Sequence, residues 1–122
     1  MLTLAFVLLG AGVLLGCVLG IFHLWPERVA PPWLLAALHG FVAVAGFACL
    51  ALSLRGPSRG VEQGAGSFGI IAAVLIGSAA LVGVGFFVTR LLKRSVPGIL
   101  FGIHATLAVG GFVVLAAYVL AG

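Results

Sequence analysis

The sequence is poor in acidic side chains and in charge of either sign. Its 122 residues include two acids, Glu27 and Glu62, and six lysines or arginines, so only 7% are charged. The chain is 64% hydrophobic, with a mean hydropathy of +1.42. So few charges could not solubilise so much apolar surface in water. The scarcity of charge therefore predicts that most of this chain faces lipid.

Several classes of function are excluded by what is missing. A proton-coupled transporter of the small multidrug type needs a carboxylate within the membrane, and Glu27 and Glu62 both lie between apolar runs. No run has the polar stripe of an ion channel, and no nucleophile stands with a base and an orienting group as in a hydrolase. The basic residues flank apolar runs and form no soluble patch, which argues against nucleic acid as a partner.

Four apolar runs are long enough to cross a bilayer, which takes about 20 residues each. They extend from Leu2 to Leu24, Trp33 to Leu54, Phe68 to Leu92 and Gly98 to Ala121. The links are short, so the prediction is an all-α membrane protein with one domain, residues 1–122, forming a four-transmembrane-helix bundle. The first run lacks a basic leader and exceeds a signal-peptide core, so we expect it to be retained. Cys17 and Cys49 fall within runs and are interpreted as small hydrophobic residues.

Small residues form stripes along the first and third runs. Gly12, Gly16 and Gly20 recur every four residues, and the third run has small residues at three- and four-residue steps, namely Gly69, Ala73, Gly77, Ala80 and Gly83. Such stripes let another helix approach closely. Contact within the bundle is favoured over a dimerisation face.

The chain contains an internal repeat. Residues 39–51 match residues 104–116 at seven of thirteen positions, and residues 5–16 match residues 72–83 at six of twelve. Chance identity in this composition is roughly one in nine. Repeat A spans about 1–54, a polar loop spans 55–67, and repeat B spans about 68–122. Each repeat holds two spans, so both enter the membrane in the same sense and form two parallel helical hairpins.

Each repeat carries one histidine within an apolar run, His39 in the second span and His104 in the fourth. An ionisable side chain at such a depth indicates a functional site. Because the repeats are parallel, the two histidines should lie at the same depth. At 100° per residue, the positions 4, 7 and 11 after each histidine share its face. These positions are identical in the two helices: Ala43, Gly46 and Leu50, and Ala108, Gly111 and Leu115.

Orientation follows from the basic residues of the links. Links one and three hold Arg28, Arg90, Lys93 and Arg94, whereas link two holds Arg55 and Arg59. The positive-inside rule then places links one and three in the cytoplasm and both termini outside. We expect the membrane to be a bacterial or archaeal cytoplasmic membrane.

Two imidazoles at one depth on parallel helices suit axial ligation of one flat macrocycle. The sequence therefore predicts one haem with His39 and His104 as metal ligands, and with Ala43, Gly46, Ala108 and Gly111 lining the cofactor. Covalent attachment requires a Cys-x-x-Cys-His motif, which the chain lacks, so the expected cofactor is non-covalent haem b.

In this layout the chain resembles the four-helix transmembrane b-type cytochromes. The resemblance consists of one intramembrane histidine in each of two helices, with glycine and alanine on the same face. It implies an electron-transfer component, with no enzymatic activity of its own, that relays electrons to or from a quinone or a partner redox subunit. The expected partners are the lipid bilayer and other membrane or redox subunits, or further copies in a homo-oligomer.

Three alternatives stay open. The histidines could be polar packing residues that bond to a backbone carbonyl across a helix interface. They could bind another ligand, such as a magnesium tetrapyrrole. The chain could also be a small accessory or assembly subunit of a larger membrane complex with no cofactor of its own. Of the remaining polar groups, His23 is interpreted as an interfacial residue, and the hydroxyls of Ser78, Thr106 and Tyr118 as helix-packing groups.

Overall fold

Each apolar run forms one helix. A computed structural model describes residues 1–24 and 31–122 and contains α1 (Leu2–Leu24), α2 (Trp33–Ser53), α3 (Phe68–Leu91) and α4 (Gly98–Leu120). All four are long and apolar enough to cross a membrane. The predicted bounds differ from these by at most one residue at each end, and the four-helix fold class is confirmed. Glu27 and Arg28, on which the exclusion of a transporter and the orientation depend, lie outside the described residues; the orientation stays a prediction.

The helices pack in a ring in the order of the chain. The main contacts are α1 with α2 and α3 with α4, the two hairpins of the repeat, and the weaker contacts join α1 to α4 and α2 to α3. The two histidine-bearing helices, α2 and α4, therefore stand diagonally opposite each other. This is the arrangement that two parallel hairpins give when a twofold axis along the bundle relates them.

The repeat is visible in the contacts between hairpins. Phe112 of α4 lies over Gly10 of α1, where an added Cβ would be 3.2 Å from the phenyl ring, and Phe47 of α2 lies over Gly77 of α3 at the same 3.2 Å. Gly10 and Gly77 occupy equivalent positions of the repeat, as do Phe47 and Phe112. The glycines of both predicted stripes also lie against residues of neighbouring helices or of the segment that ends α2, namely Gly12, Gly16, Gly20, Gly69, Gly77 and Gly83. The stripes thus serve contact within the bundle, as predicted.

The buried core occupies one end of the bundle. Its buried side chains come from the first half of α1 and α3, the second half of α2 and α4, and the link between the hairpins: Leu2, Ala5, Leu9, Leu50, Ala65, Ala72, Ile76, Ala79, Leu115 and Tyr118. We call this the core end. At the opposite end, where α1 and α3 finish and α2 and α4 begin, Gly20 is the only buried residue among those described. We call this the histidine end, and its helices are loosely packed.

Adjacent glycines in α4 offer a direct test of the tight hairpin contact. An added Cβ at Gly111 would lie 2.7 Å from Cγ1 of Ile76 and 3.1 Å from its backbone nitrogen, whereas nothing lies within 4 Å of one at Gly110. Gly111→Ala should therefore destabilise the fold by about 1–3 kcal/mol through overpacking. Gly110→Ala should be neutral or stabilise it by about 0.5–1 kcal/mol, since alanine favours helix. Equilibrium unfolding in mixed detergent micelles measures both, and equal effects would contradict the contact.

The link between the hairpins packs on the core end. Ala65 is buried, and the backbone N–H of Arg59 donates to the Tyr118 hydroxyl at 3.3 Å. Most other residues of the link are exposed, as expected of a polar loop. Tyr118 is thus a packing hydroxyl far from either histidine.

Candidate functional site

The histidines lie at the same depth in the bundle. His39 follows the first residue of α2 by six positions and His104 follows the first residue of α4 by six, which places each about 9 Å along its helix. Although α2 and α4 stand diagonally, the imidazoles approach across the centre, with ring centroids 6.2 Å apart and planes inclined at 72°. The predicted pair is therefore brought together.

Each imidazole is oriented by a backbone carbonyl of the other helix of its hairpin. Nδ1 of His39 lies 2.9 Å from the carbonyl oxygen of Gly12 in α1, and Nδ1 of His104 lies 2.8 Å from that of Ala79 in α3. A carbonyl oxygen can only accept, so Nδ1 carries the proton and donates in both bonds. Gly12 and Ala79 are equivalent positions of the repeat.

A glycine four residues after each accepting carbonyl leaves that carbonyl accessible to the imidazole. A side chain in a helix leans towards the preceding turn and covers the carbonyl four residues before it. Gly16 and Gly83 stand at these covering positions, and Cβ atoms added there would lie 3.1 Å and 3.3 Å from Cε1 of His39 and His104. The absent side chains thus leave the space in which each imidazole lies.

The neutral tautomer leaves Nε2 of both rings as acceptors. With Nδ1 protonated, a neutral imidazole presents a lone pair at Nε2 and can ligate a metal there. No hydrogen bond joins either Nε2 to the residues that the structure describes, and both rings are half-buried. Two acceptors cannot bond to each other, and no described side-chain nitrogen or oxygen is both fully buried and without a hydrogen bond, so each Nε2 is accessible to a metal or to a hydrogen-bond donor.

The site lies in the loosely packed part of the bundle. Apart from Gly20, every residue described beyond the level of Gly12 and Ala79, towards the histidine end, is half-buried or exposed. Phe86 of α3 meets the His104 ring edge-on, with centroids 5.2 Å apart. The described residues contain no cluster of three or more histidine, cysteine or acidic side chains. Two imidazoles alone do not complete the four-coordinate shell of a structural zinc site.

Three of the small residues predicted to line the cofactor pack against the other helix of their own hairpin. Cβ atoms added to Gly46 and Gly111 would be 2.8 Å from Leu9 and 2.7 Å from Ile76, side chains of the other helix of each hairpin. Ala43 lies against Gly12. These residues share the histidine face, as predicted, and that face is turned towards α1 or α3. Their role as cofactor-lining residues, and that of Ala108, stays a prediction.

Sequence reasoning missed Gly12, Ala79 and Phe86 as site residues. The signal for the first two was present, because the offset that aligns Gly16 with Gly83 also aligns Gly12 with Ala79. His23 was interpreted as interfacial, and its ring stacks on Phe101 of α4 at a centroid distance of 4.4 Å. It lies outside the histidine pair.

Comparison with known proteins adds no assignment. No family model matches the chain, and no curated protein or solved structure is detectably similar to it. The function must therefore be argued from the site itself.

Proposed function

We infer that the chain is an integral membrane cytochrome of b type that holds one haem between His39 and His104. The observation that carries this proposal is the pair of adjacent imidazoles, with centroids 6.2 Å apart and each donating through Nδ1 to a backbone carbonyl. Metal-ligating histidines almost always donate their other ring nitrogen in this way, which fixes the tautomer and raises the basicity of the ligand.

The separation of the rings supports a shared metal. A metal–imidazole bond is about 2.0 Å and the ring centre lies about 1.2 Å further, so ligands on opposite sides of one metal have centroids about 6.4 Å apart. At a tetrahedral angle the same bonds give about 5.2 Å. Two imidazoles sharing one proton along a straight bond of about 2.9 Å would have centroids about 5.3 Å apart. The observed 6.2 Å is nearest to the axial arrangement.

The packing alternative accounts for only part of this geometry. Histidines used as packing residues would also bond to a carbonyl across the helix interface. That role gives the Nε2 atoms no partner among the described residues, although no described side-chain nitrogen or oxygen is both fully buried and without a hydrogen bond. It also leaves the separation of the two rings without an explanation. In the cytochrome proposal both Nε2 atoms would bind one iron, and a macrocycle would supply the other four ligands, which the described residues do not provide.

The residues of the site would hold and orient the cofactor. His39 and His104 would ligate the iron, and Gly12 and Ala79 would hold both rings in the ligating tautomer. Gly16 and Gly83 would keep the space in which the rings lie. The bound haem would supply one-electron redox chemistry. The chain would then relay electrons between partners such as a quinone or a redox subunit.

The proposal is tested by purifying the protein in detergent after expression with an adequate haem supply. We expect a red protein, a pyridine haemochrome spectrum of b type with one haem per chain, and bleaching of the reduced band on addition of an oxidised quinone analogue. A colourless preparation would overturn the cytochrome proposal and favour a cofactor-free accessory subunit. A pigment that gives no haemochrome would identify a different tetrapyrrole.

A further inference from the structure

Two side chains that can donate hydrogen bonds, His23 and Arg90, lie at the histidine end of the bundle, at equivalent positions of the repeat. We call the region around them the mouth of the histidine end. His23 is near the end of α1 and Arg90 near the end of α3, and the offset that pairs them also pairs Gly16 with Gly83. Each lies seven residues beyond its glycine, about 10 Å along the helix from the imidazole that rests there. The pair of donors thus has the same twofold arrangement as the histidine pair.

Each of these side chains reaches from its own hairpin to the other. The His23 ring stacks on Phe101 of α4 with planes inclined at 22°, at a point where Gly20 leaves room for the phenyl ring. Nη2 of Arg90 donates to the carbonyl oxygen of Pro31, two residues before α2, at 3.0 Å. A guanidinium has five N–H donors, and this bond uses one of them.

The surroundings of this mouth favour an anion. Arg90, Lys93 and Arg94 are exposed there. Of the two acidic residues, Glu62 lies in the link at the core end, whereas Glu27 lies with Arg28 in the link that follows α1, outside the described residues, so the residues of this end still carry a net positive charge. Haem b carries two carboxylates on one edge of the macrocycle. Leaving that edge in hydrocarbon would be costly, so it must point to a membrane face and meet donors there.

We propose that His23 and Arg90 bind the two carboxylates of the macrocycle, one from each hairpin, and so fix its orientation. This inference rests on the proposed function. The donors at the other end are too distant: Arg55 follows His39 by sixteen residues, about 24 Å along the helix direction. The carboxylate edge therefore faces the membrane surface nearest the histidines.

The test measures loss of haem from the purified holoprotein to excess apomyoglobin. Arg90→Gln and His23→Leu should each accelerate haem loss roughly ten- to hundredfold, as removal of a charge-assisted hydrogen bond predicts. The low-spin spectrum should persist in both variants, because the iron ligands are intact. Arg94→Gln, which removes an equal charge from the same end, and Arg59→Gln, from the core end, should retain the wild-type rate.

Haem dimethyl ester supplies the second arm of the experiment. Wild-type protein reconstituted with the ester should lose it as fast as the double variant His23→Leu/Arg90→Gln loses haem, and the double variant should show little further acceleration on esterification. Additive effects of esterification and the double substitution, or wild-type rates in both single variants, would overturn the role of His23 and Arg90 while leaving the cytochrome proposal intact. If Arg59→Gln alone accelerated haem loss, the carboxylate edge would face the core end instead of the histidine end. A wild-type chain that binds no haem would overturn the proposed function itself.

Discussion

His39→Ala and His104→Ala should each abolish the low-spin absorption spectrum of the haem protein. In the proposed site each imidazole binds the iron, so each substitution removes one of the two ligands that the chain would provide. Loss of one ligand should leave high-spin, five-coordinate iron or lose the haem altogether. The optical spectrum and the haem content of each purified variant measure the effect.

Two controls separate ligation from misfolding. Thr106→Val changes an exposed residue of α4 two positions from His104 and should keep both the low-spin spectrum and the haem content. Free imidazole added to either alanine variant should restore that spectrum, because the space left by the ring can accept it. A normal low-spin spectrum in both His39→Ala and His104→Ala would show that these residues are not the ligands.

Gly83→Val should weaken haem binding about 10- to 100-fold, the loss typical of disturbing a group that orients a metal ligand. An added Cβ lies 3.3 Å from Cε1 of His104, and the two methyl groups of valine would crowd the ring further. The ring must then move away from the carbonyl oxygen of Ala79, which it reaches at 2.8 Å. Titration of the apoprotein with haem measures the affinity.

Gly85→Val is the matched control on the same helix. Nothing lies within 4 Å of a Cβ added at Gly85, so the substitution carries the same change in helix propensity without touching the site. It should bind haem with wild-type affinity. Equal losses in Gly83→Val and Gly85→Val would assign the effect to helix stability and would contradict the orienting role of the Ala79 carbonyl.

The sequence was sufficient to predict the helices and the location of the pair. Apolar runs of membrane length have one structural solution, since each backbone group must bond within its own helix. The repeat then required His39 and His104 to lie at one depth. The short links favour helices packed around the bundle in chain order, which places α2 and α4 diagonally opposite each other. The two imidazoles then approach across the centre of the bundle, with their centroids 6.2 Å apart.

Other features of the site could not be predicted from composition or spacing. The acceptors at Gly12 and Ala79 are backbone carbonyls, which every residue has, so only the repeat offset marks them. Gly46 and Gly111 share a face with the histidines, and helical periodicity cannot tell whether that face meets a cofactor or a neighbouring helix. The restriction of the core to one end was also hidden, because the apolar composition is similar along the whole of each span.

The central proposal, one iron held between His39 and His104, is tested most directly by low-temperature electron paramagnetic resonance of the oxidised holoprotein. Two axial imidazoles give low-spin ferric iron, and ring planes inclined at 72° predict the strongly anisotropic signal of nearly perpendicular ligands. A single such signal equivalent to one haem per chain is the expected result. A purely high-spin signal from a haem-loaded preparation would contradict ligation by both histidines.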